Sequence, residues 1–325
     1  MSTYAVTGVA GFIGSSVAEQ LLSEGHSVIG IDNLNDAYDV RLKCWRLERM
    51  QHCSRMRFHR ADVSDRKQVE AVFEENGPVD AVLNLAARAG VRASVENPHA
   101  YVETNVTGTL NLLDACRTRG IGKFVLASTS SVYGSCNTPP YREDDVTDRP
   151  CSPYAATKKA AEALCHSYHH LYGIDVTVLR YFSVYGPAGR PDMSPFRFVQ
   201  WISEGRPVTV YGDGTQLRDF TYVTDVARGT VASAGLKGWQ VLNLGGGCPV
   251  PLHELIGAVE QEVGRRAIIV RQPGHAADPR ATHADYGRAQ EQLSWEPLVP
   301  FREGVRNIVA WYQANRDWAR TIVTD

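Results

Sequence analysis

Nothing in this chain of 325 residues approaches the run of about 18 apolar side chains that a membrane-spanning helix requires. No membrane partner is therefore expected. The formal net charge is only −2, so the chain also lacks the basic field that draws nucleic acid or an anionic surface. Its seven cysteines (Cys44, Cys53, Cys116, Cys136, Cys151, Cys165 and Cys248) show no C-x-x-C spacing and are odd in number. That pattern argues against a disulfide framework and a structural zinc site, and reads as buried or incidental thiols of a reducing cytoplasm. Internal repeats and low-complexity tracts are missing too. Met1-Ser2-Thr3-Tyr4 leads straight into a strand-like segment, so no secretory signal peptide is expected. What remains is an ordinary globular composition, 43% hydrophobic and 22% charged, long enough for a large core and more than one lobe.

Through the first 180 residues, short apolar runs alternate with helical patterns. Strands are expected at Tyr4–Thr7, Ser27–Asp32, Arg57–Ala61, Ala81–Ala86, Lys123–Ser128 and Val176–Tyr181. Helices are expected at Phe12–Glu24, Asp39–Gln51, Lys67–Glu75, Pro98–Arg117 and Pro153–Tyr172. Strands alternating with helices predict βαβ units and a parallel sheet covered on both faces. Beyond Tyr181 the pattern loosens. Short strands (Thr209–Tyr211, Gln240–Leu244, Ala267–Val270) mix with helices at Pro195–Glu204, Thr224–Ala234, Leu252–Val263 and Phe301–Ala314. Residues 181–325 read as a smaller second lobe, with some segments returning to the first sheet.

The first strand runs into Gly8-Val9-Ala10-Gly11-Phe12-Ile13-Gly14. Glycines here let the chain turn sharply and let backbone N–H groups approach a pyrophosphate at a helix N-terminus. The spacing is G-x-x-G-x-x-G rather than G-x-G-x-x-G, and a plain turn would look similar. Context strengthens the ligand reading. Asp32 ends the next strand, 18 residues beyond Gly14, where a carboxylate accepts hydrogen bonds from the adenosine ribose and repels a 2′-phosphate. No Arg occurs in the following Asn33-Leu34-Asn35, which favours NAD over NADP. Asp62-Val63 suits a contact to adenine, and Leu85-Ala86-Ala87 suits close approach of backbone to the cofactor.

Pro153 opens a helix on which Tyr154 and Lys158 are i and i+4 and share a face. A free phenol with pKa about 10 is only ~0.1% ionised at pH 7. Lys158 and the positive nicotinamide would bias Tyr154 toward acting as a general base on a sugar hydroxyl. Tyr-x-x-x-Lys is common on helix surfaces. Here a nucleotide-binding βαβ pattern precedes it, and Ser128-Thr129-Ser130-Ser131-Val132-Tyr133-Gly134 lies at the carboxyl end of the fifth strand, where such sheets bind ligands.

These features together resemble the extended short-chain dehydrogenase/reductases, in their nucleotide-sugar epimerase branch. The resemblance runs along nearly the whole chain, through Gly8–Gly14, Asp32, Asn105-Val106-Thr107-Gly108-Thr109, Ser128–Gly134, Tyr154–Lys158 and Arg180-Tyr181-Phe182. It continues through Gly212-Asp213-Gly214-Thr215-Gln216-Leu217-Arg218-Asp219-Phe220, Tyr222-Val223 and Asp225. It implies an α/β fold: a Rossmann-type doubly wound parallel sheet binding NAD over residues 1–180, and a smaller C-terminal α/β lobe over 181–325 that mainly binds substrate. It places Thr129, Tyr154 and Lys158 at the catalytic positions. Phe12, Ile13, Asn33, Asn105, Ser128 and Tyr181 join the glycines, Asp32, Asp62, Val63 and Leu85–Ala87 at the cofactor. Arg218 matches an arginine that grips the substrate diphosphate. A cytoplasmic homodimer is the expected assembly.

Asp32-Asn33-Leu34-Asn35-Asp36-Ala37-Tyr38-Asp39, Ala89-Gly90-Val91-Arg92 and the stretch Tyr181–Met193 resemble UDP-glucuronate 4-epimerases in particular. This resemblance puts Ser183 and Arg190 near the sugar carboxylate, which a guanidinium fork fits. Ser128, Thr129, Ser130 and Asp278 are further expected substrate contacts, and Arg88 and Arg92 read either as substrate contacts or as surface cations. Gln272-Pro273-Gly274-His275-Ala276-Ala277-Asp278 departs from the family by three inserted residues, and Arg88 replaces a smaller or amide residue. The implied reaction removes hydride from C4 of a UDP-sugar and returns it to the opposite face, with no net redox and no metal. Epimerases of UDP-glucose or UDP-N-acetylglucosamine are the main alternative. UDP-glucuronate decarboxylases typically carry Glu where this chain has Ser131, and dehydratases Asp-Glu where it has Ser130-Ser131. An NAD-binding sensor need not keep Thr129, Tyr154 and Lys158 together.

Overall fold

The structure, a computed structural model, describes residues 1–135, 137–274 and 279–324. Six strands come from the first part of the chain: β1 (Thr3–Thr7), β2 (Ser27–Asp32), β3 (Met56–Arg60), β4 (Ala81–Asn84), β5 (Lys123–Thr129) and β6 (Asp175–Tyr181). Four short strands follow, β7 (Ser183–Tyr185), β8 (Pro207–Tyr211), β9 (Leu217–Arg218) and β10 (Phe220–Tyr222). After them come β11 (Trp239–Leu244), β12 (Val250–Pro251) and β13 (Ile268–Gln272). The central sheet has the order β11-β6-β5-β4-β1-β2-β3, and each neighbouring pair is parallel. Strand order reverses between β1 and β4, which opens a crevice beyond their carboxyl ends. β5 is buried along its whole length, as a strand covered on both faces must be. The edge strand β3 is polar and largely open.

The helices follow the sequence signals closely. They are α1 (Phe12–Ser23), α2 (Val40–Glu48), α3 (Arg66–Asn76), α4 (Val91–Glu96), α5 (Pro98–Tyr101), α6 (Gly108–Arg119) and α7 (Pro153–Tyr172). Asp39 and Asp65 cap α2 and α3. The Ser152 hydroxyl accepts from the Ala155 N–H with Pro153 at the first helical position, so α7 starts where Tyr154 is needed. The expected helix Pro98–Arg117 is broken: residues 102–107 form a π-helical turn between α5 and α6. Asn105 causes this by tertiary pull. Its side chain bonds both backbone groups of Arg88 and the Thr157 hydroxyl. π-turns of this kind gather at functional sites.

The later helices are α8 (Ser194–Glu204), α9 (Val223–Ser233), α10 (Leu252–Val263), α11 (Gly287–Leu293), α12 (Phe301–Ala314) and α13 (Arg316–Ala319). Helices α8, α10 and α12 pack with the pairs β7–β10, β8–β13 and β9–β12 around an aromatic core that includes Tyr185, Phe196, Trp201, Tyr222, Trp311 and Tyr312. Other late segments return to the first sheet. β11 adds to its edge beside β6, and α9 packs on α1. Leu42 and Trp45 of α2 join the second core, so that helix touches both parts of the molecule.

Candidate active site

The glycine turn sits at the sheet's crevice. Gly8 adopts φ +66°, and a Cβ there would lie 2.8 Å from the backbone of Leu85 and Ala86. A Cβ on Gly14 would lie 2.0 Å from the Gly8 carbonyl. Glycine is therefore required at both places. Gly11 begins α1 without a side-chain cap, which leaves the first-turn N–H groups of Phe12 and Ile13 available to an anion. Asp32 accepts from the Ala10 N–H at 3.1 Å and the Leu34 N–H at 2.8 Å, which aims its carboxylate along the turn. Asn33 donates to Asp62 at 2.7 Å. Burial pushes the Asp62 carboxyl up, but hydrogen bonds from Ser64 and Asn33 outweigh it and hold it below its usual value. Ala86 N–H donates to Thr7 Oγ1 at 3.0 Å. Gly8, Gly11, Gly14, Asp32, Asn33, Asp62, Leu85 and Ala86, with Ala87 next in the chain, are thus brought together beyond the carboxyl ends of β1, β2 and β4.

Several expected cofactor residues use their side chains elsewhere. The Phe12 ring packs beneath Gly186 and Gly189. Val63 is core, against Gly108. The Tyr181 hydroxyl bonds Thr230 at 2.8 Å inside the core, and Asn105 is spent on Arg88 and Thr157. Any ligand contact from these four would run through backbone. Ser128 Oγ donates to buried Glu162 at 2.6 Å.

Thr129 ends β5. Its Oγ1 accepts from the Ser131 N–H at 3.1 Å and lies 3.2 Å from Ser131 Oγ. Ser130 opens the short 3₁₀ turn that follows. Tyr154, half-buried in the first turn of α7, faces this hydroxyl. Burial raises the Tyr154 phenol above its ordinary pKa, and the Thr129 hydroxyl and then the Arg190 charge pull it back. The Lys158 ammonium lies on the same helix, one turn beyond Tyr154. It donates to the Ala127 carbonyl at 2.8 Å, and burial lowers its pKa to about 8. The cation that biases Tyr154 in this structure is Arg190.

Arg190 Nε donates to Asp192 Oδ1 at 3.0 Å, and Nη2 to Asp192 Oδ2 and the Ala89 carbonyl. Its Nη1 amine is uncommitted among the described residues. Burial alone would lower the Arg190 pKa, but Asp192 overrides it and keeps the guanidinium firmly charged. Ser183 enters β7 beside this segment. Arg92 stacks on the Tyr211 ring at 4.0 Å, joining α4 to β8. Arg218 lies on β9, half-buried, with Nη1 on the Leu217 carbonyl at 2.9 Å. Arg88 is held by its backbone, which exchanges two hydrogen bonds with the Asn105 side chain at 2.9 and 3.0 Å. Asp278 lies outside the described residues.

The structure adds residues that the sequence did not single out. Tyr101 packs edge-on against Tyr154, ring centroids 6.1 Å apart, and donates to the Ala89 and Gly90 carbonyls. Lys43, buried, lies 4.0 Å from Asp32 Oδ1 and donates to Asn35 at 3.1 Å, so a cation approaches Asp32 from α2 rather than from the loop.

A doubly wound parallel sheet with a glycine turn, a strand-end acid, and a Thr–Tyr pair beside a buried lysine defines a nucleotide-dependent enzyme that handles protons at an alcohol. The model of the NAD dependent epimerase/dehydratase family matches residues 4–245, and the chain belongs to that family. It is 50% identical over 323 residues to a UDP-glucuronate 4-epimerase of Thermodesulfobacterium geofontis, with 99% of each chain covered. A probable UDP-glucuronate 4-epimerase of Rhizobium meliloti is 39% identical over 98% of this chain and 99% of its own. Among solved structures, UDP-glucuronic acid 4-epimerase from Bacillus cereus, in complex with UDP-glucuronic acid and NAD, superposes with a TM-score of 0.91. It is 35% identical and covers 96% of this chain and 99% of its own. The UDP-glucose 4-epimerase of Thermotoga maritima with UDP-glucose gives 0.89 at 32% identity, covering 97% of this chain and 99% of its own.

Proposed function

We propose that this protein inverts C4 of a UDP-sugar and that its substrate is UDP-glucuronate, converted to UDP-galacturonate, with NAD held in the groove of residues 1–180 and the UDP-sugar mainly by 181–325. The convergence of Thr129 and Arg190 on Tyr154 carries this reading. It joins a group that can take a proton from an alcohol to a cation that can read a carboxylate. NAD, when bound, supplies reversible acceptance of hydride. Tyr154 Oη takes the proton of the 4-hydroxyl and later returns it, acting as general base and then general acid. Thr129 Oγ1 orients the same oxygen. Lys158, fixed on Ala127, holds positive charge at the base of α7, and Arg218 anchors the diphosphate while the sugar turns over. Asp192 and Ala89 pre-orient Arg190, leaving its Nη1 for the C6 carboxylate.

The same reading includes a cytoplasmic homodimer. Val95, Val102 and Leu110 are exposed along α4 to α6 and supply apolar surface for a partner. Among the described residues no helix is long and apolar enough to cross a membrane. The decisive experiment incubates the purified protein separately with UDP-glucuronate, UDP-glucose and UDP-N-acetylglucosamine, and resolves products and CO₂. UDP-galacturonate without CO₂ is expected. Faster turnover of either neutral sugar would overturn the substrate assignment.

A further inference from the structure

Arg46 of α2 is 2% exposed, yet its guanidinium hydrogen-bonds no carboxylate among the described residues. Nε and Nη2 both donate to the Ala188 carbonyl, at 3.1 and 2.6 Å, and Nη2 also reaches the Gly189 carbonyl at 3.3 Å. Nη1 donates to the Ala10 carbonyl at 3.0 Å and the Tyr38 hydroxyl at 2.7 Å. One side chain therefore ties the glycine turn to the segment that presents Arg190. Ala188 is buried and adopts φ +51°, a left-handed conformation that costs an L-residue with a Cβ and persists only where its surroundings impose it. The Arg46 fork on its carbonyl is that imposition. Phe12 completes the joint. Its ring lies under Gly186 and Gly189 and 5.9 Å from the Arg46 guanidinium.

We infer that Arg46 is a positioning residue for sugar specificity: by clamping Ala188 in its left-handed conformation against the glycine turn, it sets Arg190 for the substrate carboxylate. This rests on the reading of Arg190 proposed above. A simpler role would be electrostatic, a buried positive charge behind a diphosphate. The two roles separate when charge is kept and the fork is lost, because a lysine ammonium cannot hold two carbonyls in a planar, bidentate geometry.

The test uses NAD-loaded protein in a Tyr154→Phe background, so that nothing turns over. Calorimetric dissociation constants for UDP-glucuronate and UDP-glucose give a preference ratio. Arg46→Lys is expected to reduce that ratio about tenfold, the effect of a displaced carboxylate partner. Adding Ala188→Gly, which reaches φ +51° without strain, should recover about fivefold of it. Equal loss of affinity for both sugars, an unchanged ratio, or no recovery on adding the glycine overturns the inference. If Arg46→Lys does not fold, Tyr38→Phe, which removes one anchor of the fork, should reduce the ratio about twofold; an unchanged ratio there also overturns it. Arg190→Ala is measured alongside. If it leaves the ratio intact, the reading of Arg190 fails and this inference with it. If it collapses the ratio while Arg46→Lys does not, only the role of Arg46 is lost.

Discussion

Replacing Glu162 by glutamine leaves a guanidinium in the core without its counter-charge. Glu162 and Arg180 are each only 4% exposed, and they meet through two hydrogen bonds at 3.1 and 2.9 Å. Ser128 donates to the same carboxylate at 2.6 Å. Arg180 goes on to the Tyr133 hydroxyl and the Glu143 carbonyl, so the pair ties α7 to β5, β6 and the segment beyond β5. Breaking a buried pair by removing one partner costs ~3–5 kcal/mol. Glutamine still accepts one hydrogen bond, which places Glu162→Gln near ~3 kcal/mol. For a chain of this size that lowers Tm by roughly 4 °C. Arg180→Met should cost a similar amount by stranding the carboxylate. The double variant buries no charge, so it should be more stable than the sum of the singles by about 2 kcal/mol. Calorimetric and urea unfolding of the NAD-loaded protein measure all three. Single-variant losses that add to within about 0.5 kcal/mol of the double would refute the argument, as would a Glu162→Gln cost below about 1 kcal/mol.

Tyr154→Phe should abolish product formation while leaving NAD and UDP binding largely intact; retained turnover would remove Tyr154 as the base. Burial holds the Lys158 ammonium at about 8, so it is charged below that pH and neutral above it. Accordingly kcat/KM should fall as pH rises through about 8, and Lys158→Arg should flatten that limb; a level wild-type profile would contradict the role. Glu162 raises the Lys158 pKa against the effect of burial, so Glu162→Gln should move the same limb to lower pH. Asp32→Ala removes the acceptor of the Ala10 and Leu34 N–H groups and the proposed ribose contact. The purified variant should carry at least tenfold less NAD, and unchanged NAD content by absorbance would reject the site. Arg190→Ala should weaken UDP-glucuronate more than UDP-glucose, by about tenfold in the ratio of dissociation constants; equal weakening would count against carboxylate reading.

The parts of the fold that local rules decide were legible in the sequence. The glycine turn, the strand-end Asp32, the Ser152-Pro153 start of α7 and the alternation of strands with helices rest on backbone sterics, capping and periodicity, which neighbouring residues carry among themselves. What stayed hidden was decided by distant partners. Nothing local says that Asn105 will pull a helix into a π-turn, or that of the three basic residues of α2 Lys43 and Arg46 are buried while Arg41 stays exposed. Ser128 is a subtler case. Strand alternation places Ser128 and Thr129 on opposite faces, but does not say that the Ser128 hydroxyl meets Glu162 of α7.

Ser131 shows how one position narrows the chemistry. In this structure its N–H and Oγ both engage Thr129 Oγ1, so the residue steadies the hydroxyl proposed to orient the substrate oxygen and brings no second acid or base to it. A 4-keto uronic acid is a β-keto acid, and loss of its carboxylate is favoured when a nearby group can deliver a proton to the carbon that CO₂ leaves. In the proposed mechanism proton handling is concentrated in Tyr154, while the carboxylate is assigned to Arg190, a charged group held by Asp192 and Ala89 that has no proton to give near neutral pH. A Ser131→Glu exchange therefore introduces the missing acid beside Thr129 and should produce CO₂ from UDP-glucuronate where the wild type produces none. Unchanged product with full activity would mean that carboxylate retention is enforced elsewhere in the pocket.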